Sequence, residues 1–78
     1  MTPKELLQQE GLEPLTEREL QILHLLEKGL TNREIASDLV VTPGTVKLHL
    51  KHVYRKLSVN NRQTAVILAR SLGLLAVS

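Results

Sequence analysis

The sequence predicts an all-α domain built from four helices. Four residues that can cap a helix N-terminus each precede a segment whose apolar residues recur at spacings of three and four. These caps are Thr16, Thr31, Thr42 and Asn61. Gly29 and Gly73 follow two of the segments, where a left-handed residue commonly ends a helix. With 78 residues, the chain is one small domain.

The composition excludes several classes of protein. The chain has no cysteine, so neither a disulfide framework nor a thiolate metal site is possible. Tyr54 is the only aromatic residue, which leaves no stacking platform for single-stranded nucleic acid. Apolar runs stop well short of the roughly 18 residues of a membrane span, and the first residues lack the basic-then-apolar order that is typical of a signal peptide. We expect a cytoplasmic protein without a membrane partner.

Residues 1–14 are predicted to be a linker or docking segment, and residues 15–78 to be the domain. The first helix begins after Thr16, which can form a capping box with Glu19, and it ends at Gly29. The second begins with another capping box, Thr31 to Glu34. Its apolar stripe is Ile35, Ala36 and Leu39. About three residues then lead to the third helix, which is the spacing of a helix-turn-helix.

The third helix is predicted to start at Thr42 and Pro43 and to continue to Leu57. Its buried stripe is Val46, Leu50, Val53, Tyr54 and Leu57. The opposite arc is Gly44, Lys47, Leu48, Lys51, His52 and Arg55. This arc has no carboxylate, so its cations repel one another at spacings of four and favour an anionic partner. Leu48 is either an isolated exposed apolar residue or a contact for thymine methyl groups.

The last helix is predicted from Arg62 to about Leu72, with Asn61 as its cap. Its core face is Ala65, Leu68, Ala69 and Leu72. Val66 and Ile67 lie away from this face, and Leu74, Leu75 and Val77 extend the apolar surface beyond the helix. Either a partner covers this surplus surface or the tail folds back over residues 1–14.

Charge is distributed unevenly along the chain, although its formal net value is only +2. Residues 1–38 hold all eight acidic and four basic side chains, a net charge of −4. Residues 39–78 hold six basic side chains and no acidic one, a net charge of +6. The second half is therefore predicted to face a polyanion.

The chain resembles the LuxR/FixJ/GerE-type helix-turn-helix family of bacterial transcription regulators from about Leu15 to Ala69. The resemblance is carried by LTERE at 15–19, Gly29, TNREIA at 31–36, Leu39, Thr42, TVKLH at 45–49, KL at 56–57, Val59, Arg62 and Ala65. Gly44 departs from the pattern, since a bulkier, often acidic residue is usual there. The segment VYRKLSV at 53–59 also resembles the C-terminal domains of large ATP-dependent regulators of the maltose-activator type.

The resemblance implies the LuxR-type C-terminal effector fold, as in response regulators, and binding to double-stranded DNA. Its third helix, about 43–57 here, enters the major groove, and its fourth pairs two protomers on an inverted repeat. Base contacts would be Lys47, Leu48 and Lys51. Phosphate contacts would be Thr31, Asn32, Thr42, Thr45 and His49, with Lys56 and Arg62 as further candidates. Contacts between protomers would involve Val66, Ile67 and Arg70. RNA polymerase is a further expected partner.

Physical chemistry supports the same roles without the family. Lys47 and Lys51 can donate to guanine O6 or N7, and Arg55, further along the arc, suits the DNA backbone. Two alternatives are a helical protein-interaction module with a basic face and a sigma-factor-like promoter-recognition domain. We expect no enzyme, because no nucleophile–base arrangement is present, and no cofactor. His49 and His52 lack the further ligands of a metal site.

Overall fold

A computed structural model of the protein describes residues 14–75, which form four helices connected by short turns. They are α1 (Glu17–Glu27), α2 (Asn32–Leu39), α3 (Pro43–Lys56) and α4 (Arg62–Ser71). The predicted all-α class and the helix order are confirmed. Residues 1–13 of the predicted linker or docking segment lie outside the described part of the chain, as does Val77.

Polar side chains cap the N-terminus of each helix, as predicted. Thr16 Oγ1 accepts a hydrogen bond from the Glu19 N–H at 3.1 Å, and Glu19 Oε1 accepts one from the Thr16 N–H at 2.9 Å. Thr31 and Glu34 form the same reciprocal pair. Thr42 and Asn61 cap α3 and α4. Because these bonds span only three residues, they fix where each helix begins independently of the remaining fold.

Each helix is followed within two residues by a residue in the left-handed region, and the residue after that one donates a hydrogen bond back into the last turn of the helix. The four left-handed residues are Gly29, Val40, Ser58 and Gly73. After α1, the Leu30 N–H donates to the Leu25 carbonyl at 3.3 Å; after α2, Val41 donates to Ala36 at 3.0 Å. This arrangement is the Schellman motif, and glycine suits it because it has no Cβ to clash. Val40 and Ser58 adopt it despite their side chains.

The core lies between α1 and α3, each of which contacts the three other helices. Its largest fully buried side chains are Ile22, Leu23, Ile35, Val46, Val53 and Leu57. The small residues Ala36, Ala65 and Ala69 are also buried and allow close helix packing. The predicted buried stripe of α3 is confirmed, with Tyr54 half-buried at its edge.

Leu74 and Leu75 correct one prediction from the sequence. The first of the two alternatives placed them on an exposed apolar surface beyond the last helix, but both are buried, with exposed fractions of 4% and 7%. The Leu74 N–H donates to the Ala69 carbonyl at 2.9 Å, which turns the chain back towards the core immediately after α4. The exposed apolar surface of this region is therefore smaller than predicted.

An ion pair connects the first turn of α1 to the last turn of α3. Lys56 Nζ lies 2.7 Å from Glu19 Oε1, and the two side chains are only 14% and 4% exposed. Burial alone would raise the pKa of Glu19, but the hydrogen bonds from Lys56 and Thr16 outweigh it and hold the pKa below its ordinary value of 4.5. The Glu19 carboxylate thus completes a helix cap and holds α3 against α1.

Two arginines attach α4 to the end of α1. Arg62 donates from its guanidinium to the Leu30 carbonyl, in the turn that precedes α2. Arg70 pairs with Glu27 at 2.7 Å, in a more exposed position. The Arg62 contact places the start of α4 near the turn that precedes α2, and the Arg70 contact places the end of α4 near the end of α1.

Val40→Gly is expected to stabilise the domain by about 1 kcal/mol, because a β-branched residue is strained in the left-handed region. Val40 has a φ of +56° and is 89% exposed, so little packing is lost with its side chain. Urea denaturation measures the change. Val41→Gly is the matched control; it should destabilise, since Val41 is half-buried against the core. Equal losses from both variants would contradict strain at Val40.

Glu19→Gln is expected to lower the free energy of unfolding by about 1–3 kcal/mol at pH 7. The carboxyl pKa is depressed in the folded state, so the stabilisation is fully present above pH 4.5 and is lost as the pH falls through the folded value. The difference between wild type and variant should therefore shrink on acidification, as measured by denaturation at pH 7 and pH 3. Glu17→Gln, an exposed neighbour, should change stability at pH 7 by less than about 0.5 kcal/mol. A difference for Glu19→Gln that is independent of pH would contradict the ion pair.

Candidate nucleic-acid interface

The exposed face of α3 carries the side chains that were predicted to contact bases. Lys47 and Lys51 are exposed, and Leu48 between them is 52% exposed. On the opposite side of the helix, Val46 and Val53 are fully buried. The same helix therefore anchors itself in the core and presents its cations outwards.

A surface groove of about 670 Å³, the α3 groove, runs beside these residues. It is lined by Asn32, Gly44, Lys47, Leu48, Leu50, Lys51, Tyr54 and Arg62. The structure thus brings Asn32 of α2 and Arg62 of α4 to the same surface as the basic arc of α3. Five residues predicted for the site lie in this groove, although they come from three different helices.

The other predicted phosphate contacts lie at the N-termini of α2 and α3 or further along α3. Thr31 and Thr42 are exposed caps. Thr45 is half-buried, and its hydroxyl lies 2.9 Å from that of Thr42. His49 is half-buried and Arg55 is exposed. Both helix N-termini carry the partial positive charge that attracts anions.

Lys56 and Arg62 have partners within the protein. The Lys56 ammonium is engaged by Glu19, as described above. Arg62 donates to the Leu30 carbonyl, yet its planar guanidinium has five N–H donors and it still lines the α3 groove. For Lys56 the predicted phosphate contact competes with a partly buried ion pair.

A second groove, of about 630 Å³, lies between the end of α1 and α4, and we call it the α4 groove. It is lined by Leu26, Asn61, Arg62, Gln63, Val66, Ile67 and Arg70. All three residues predicted for pairing are therefore on one surface. Ile67 is 62% exposed, which makes it a prominent apolar side chain of this groove.

Several residues of these surfaces were not assigned to them from the sequence. Tyr54 and Leu50 were assigned to the buried stripe but also form the floor of the α3 groove. Burial raises the pKa of Tyr54 above its ordinary value of 10.0. Glu19 was assigned to a helix cap, and its pairing with Lys56 was not predicted, because the two residues are 37 positions apart. The one signal in the sequence for this ion pair was the opposite charge of two residues on two predicted helices, and many other pairs of residues share that property.

Among residues 14–75, no three side chains of His, Cys, Asp or Glu lie close enough together to hold a metal ion. None of the four helices in this range has the length and hydropathy needed to cross a bilayer.

Residues 13–69 match the family of bacterial regulatory proteins described as the luxR family (GerE). The transcriptional regulator MalT of Vibrio campbellii is 42% identical over 59 residues, which cover 76% of this chain and 6% of MalT. The nitrate/nitrite response regulator NarP of Escherichia coli is 52% identical over 54 residues, covering 69% of this chain and 25% of NarP. The chain thus spans only a small part of these relatives.

Solved structures agree with the fold. The response regulator ChrA of a heme-sensing two-component system aligns with a TM-score of 0.78 and 46% identity, over 81% of this chain and 31% of ChrA. The transcription factor GerE aligns with a TM-score of 0.75 and 32% identity, over 80% of this chain and 92% of GerE. Since the family pattern covers most of the chain and the four helices superpose on GerE, this protein belongs to the luxR family of bacterial regulatory proteins, as a helix-turn-helix DNA-binding domain.

Proposed function

We propose that the domain recognises a specific double-stranded DNA sequence, with α3 in the major groove, and pairs through α4 on an inverted repeat. The observation that carries this proposal is the exposed basic arc of α3, which lacks any carboxylate and faces away from the core. A major groove about 12 Å wide admits one α-helix with its side chains.

Within this proposal, Lys47, Leu48 and Lys51 read bases. The two ammonium groups can donate to guanine O6 or N7, and Leu48 can contact a thymine methyl group. Their exposure at the middle of the arc supports this role. Which bases these side chains reach depends on the orientation of α3 on the duplex, and the residues around α3 set that orientation.

The surrounding residues position the domain on the DNA backbone. The proposed phosphate contacts are Thr31, Asn32, Thr42, Thr45, His49, Arg55 and Arg62. Support comes from the N-termini of α2 and α3, which both carry hydroxyl caps, and from the α3 groove, which gathers Asn32 and Arg62 beside α3. We leave Lys56 out of this set, because its ammonium pairs with the nearly buried Glu19 carboxylate.

Pairing through α4 uses the α4 groove. Ile67 presents an exposed apolar side chain there, next to the half-buried Val66. Arg70 lies in the same groove and is tied to Glu27 of its own chain. The surface is small compared with stable interfaces of about 1,200 Å² or more, so we expect pairing chiefly on DNA, where two half-sites hold the protomers together.

The biological setting is proposed from the relatives. A transcription regulator of this kind acts in the bacterial cytoplasm, and RNA polymerase is a natural further partner. MalT is named as a transcriptional regulator and NarP as a response regulator, both much longer than this chain. The domain is accordingly proposed to be the DNA-binding part of a regulator.

Selection of bound sequences from a random duplex pool, followed by a salt titration of the best binder, tests the proposal. An inverted repeat should be recovered, and its affinity should fall steeply with salt as counterions are released. If no duplex is preferred but acidic proteins bind in a salt-sensitive way, the basic face serves protein interaction. Selection of a promoter element without symmetry would favour the sigma-factor-like alternative.

Lys51→Ala is expected to weaken binding to the selected duplex by about 1–3 kcal/mol and to relax base preference at one position per half-site. The physical reason is the loss of a donor to a base edge in the groove. Repeating the selection with the variant measures the preference directly.

Lys28→Ala is the matched control for Lys51→Ala. Lys28 is an exposed lysine at the end of α1 and lies outside the α3 groove. The Lys28→Ala variant removes the same charge as Lys51→Ala and should leave base preference unchanged. A uniform loss across all sequences with Lys51→Ala would assign that side chain to phosphate rather than to a base.

Ile67→Asp is expected to weaken binding to a duplex with two half-sites by at least about tenfold, while binding to one half-site stays nearly unchanged. A carboxylate at position 67 removes the apolar contact of Ile67 and must be desolvated when two protomers pair. Gel-shift titrations on the two duplexes measure both affinities.

Thr64→Asp adds the same charge to α4 outside the α4 groove and serves as the control. The Thr64→Asp variant should change affinity for both duplexes by the same factor. If Ile67→Asp also changes both affinities by the same factor, pairing through α4 is refuted.

A further inference from the structure

Gly44 occupies an unusual place in the α3 groove. It is the second residue of α3, it is exposed, and it lies on the same arc as Lys47, Leu48 and Lys51, at spacings of three, four and seven. Gly44 is also the only glycine within a helix among residues 14–75.

The fold itself does not require glycine at this position. Gly29 and Gly73 have positive φ values, whereas Gly44 does not. A Cβ added to Gly44 would meet only the Thr42 hydroxyl oxygen, at 3.9 Å, which is an ordinary van der Waals contact. Since alanine is the better helix former, alanine here should leave the isolated domain at least as stable as glycine does.

The place to look for a role of Gly44 is therefore the surface that it shares with Lys47 and Leu48. Glycine permits a close approach of the backbone to a ligand, since no side chain holds the two apart. Position 44 is one turn before Lys47 and Leu48 on the surface that faces the proposed duplex. In the proposed docking, the size of a side chain at this point would set how closely the start of α3 approaches the floor of the major groove.

We propose that Gly44 is a clearance position, which sets how deeply the N-terminal end of α3 enters the major groove and so brings Lys47 and Leu48 within reach of base edges. The inference rests on the proposed DNA-binding function. It assigns a specificity-determining role to a residue that contributes no side chain.

Gly44→Ala and Gly44→Leu test the proposal, since both replacements favour helix and carry no charge. Each variant should melt at least as high as wild type, and the alanine variant a few degrees higher. Affinity for the selected duplex should fall about 3–10-fold with alanine and more than about 30-fold with leucine, while binding to a non-specific duplex changes less than about 2-fold. Thermal melting and fluorescence-anisotropy titrations measure the two properties separately.

Ser37→Ala and Ser37→Leu are matched controls on an exposed position of α2 outside both grooves. They should leave specific binding within about 2-fold of wild type. Unchanged specific affinity of the Gly44 variants, an equal loss on both duplexes, or a lower melting temperature for Gly44→Ala would each overturn the proposal. Failure of the wild-type domain to prefer any duplex would instead refute the proposed function, so the two failures are distinguishable.

Discussion

The division of α3 into a buried face and a basic face is the constraint on which the other features depend. Lys47 and Lys51 lie one turn apart without a neighbouring carboxylate on the helix, a like-charge spacing that costs an isolated helix a few tenths of a kcal/mol. Burial of Val46, Leu50 and Val53 on the other side outweighs this cost, at about 1.5–3 kcal/mol for each side chain. Packing against all three other helices therefore lets α3 keep a repulsive surface available for an anion.

Much of the fold was predictable because its signals are local. The caps at Thr16, Thr31, Thr42 and Asn61 act over three residues, so the sequence around each is sufficient to place a helix start. The apolar stripe of α3 was predicted from periodicity, and it is buried. The pairs that were not predicted join distant parts of the chain: Glu19 with Lys56, and Arg62 with the Leu30 carbonyl. The spacing of apolar residues predicts which face of a helix a side chain lies on, but it does not predict which distant residue that side chain contacts.

Two local features were not anticipated, for different physical reasons. Val40 lies in the left-handed region although its type disfavours it, because the short connection to α3 requires the chain to turn there. Leu74 and Leu75 were expected at the surface, yet the Schellman turn at Gly73 directs them into the core. The lining of the α3 groove was predicted in part, as Asn32 and Arg62 came from the family resemblance, whereas Tyr54 was assigned only to the core.

The ion pairs show a second role for the uneven distribution of charge along the chain. Six cations in the second half of the chain suggested one polyanion-facing surface, but two of them are held by acids of α1: Lys56 by Glu19 and Arg70 by Glu27. The acids of the first half therefore do more than balance net charge. They fasten the end of α3 and the end of α4 to α1, and Lys47 and Lys51 stay exposed on the arc. The charged side chains thus divide into a group that assembles the fold and a group that faces outwards, and this division supports the proposed binding of DNA through α3.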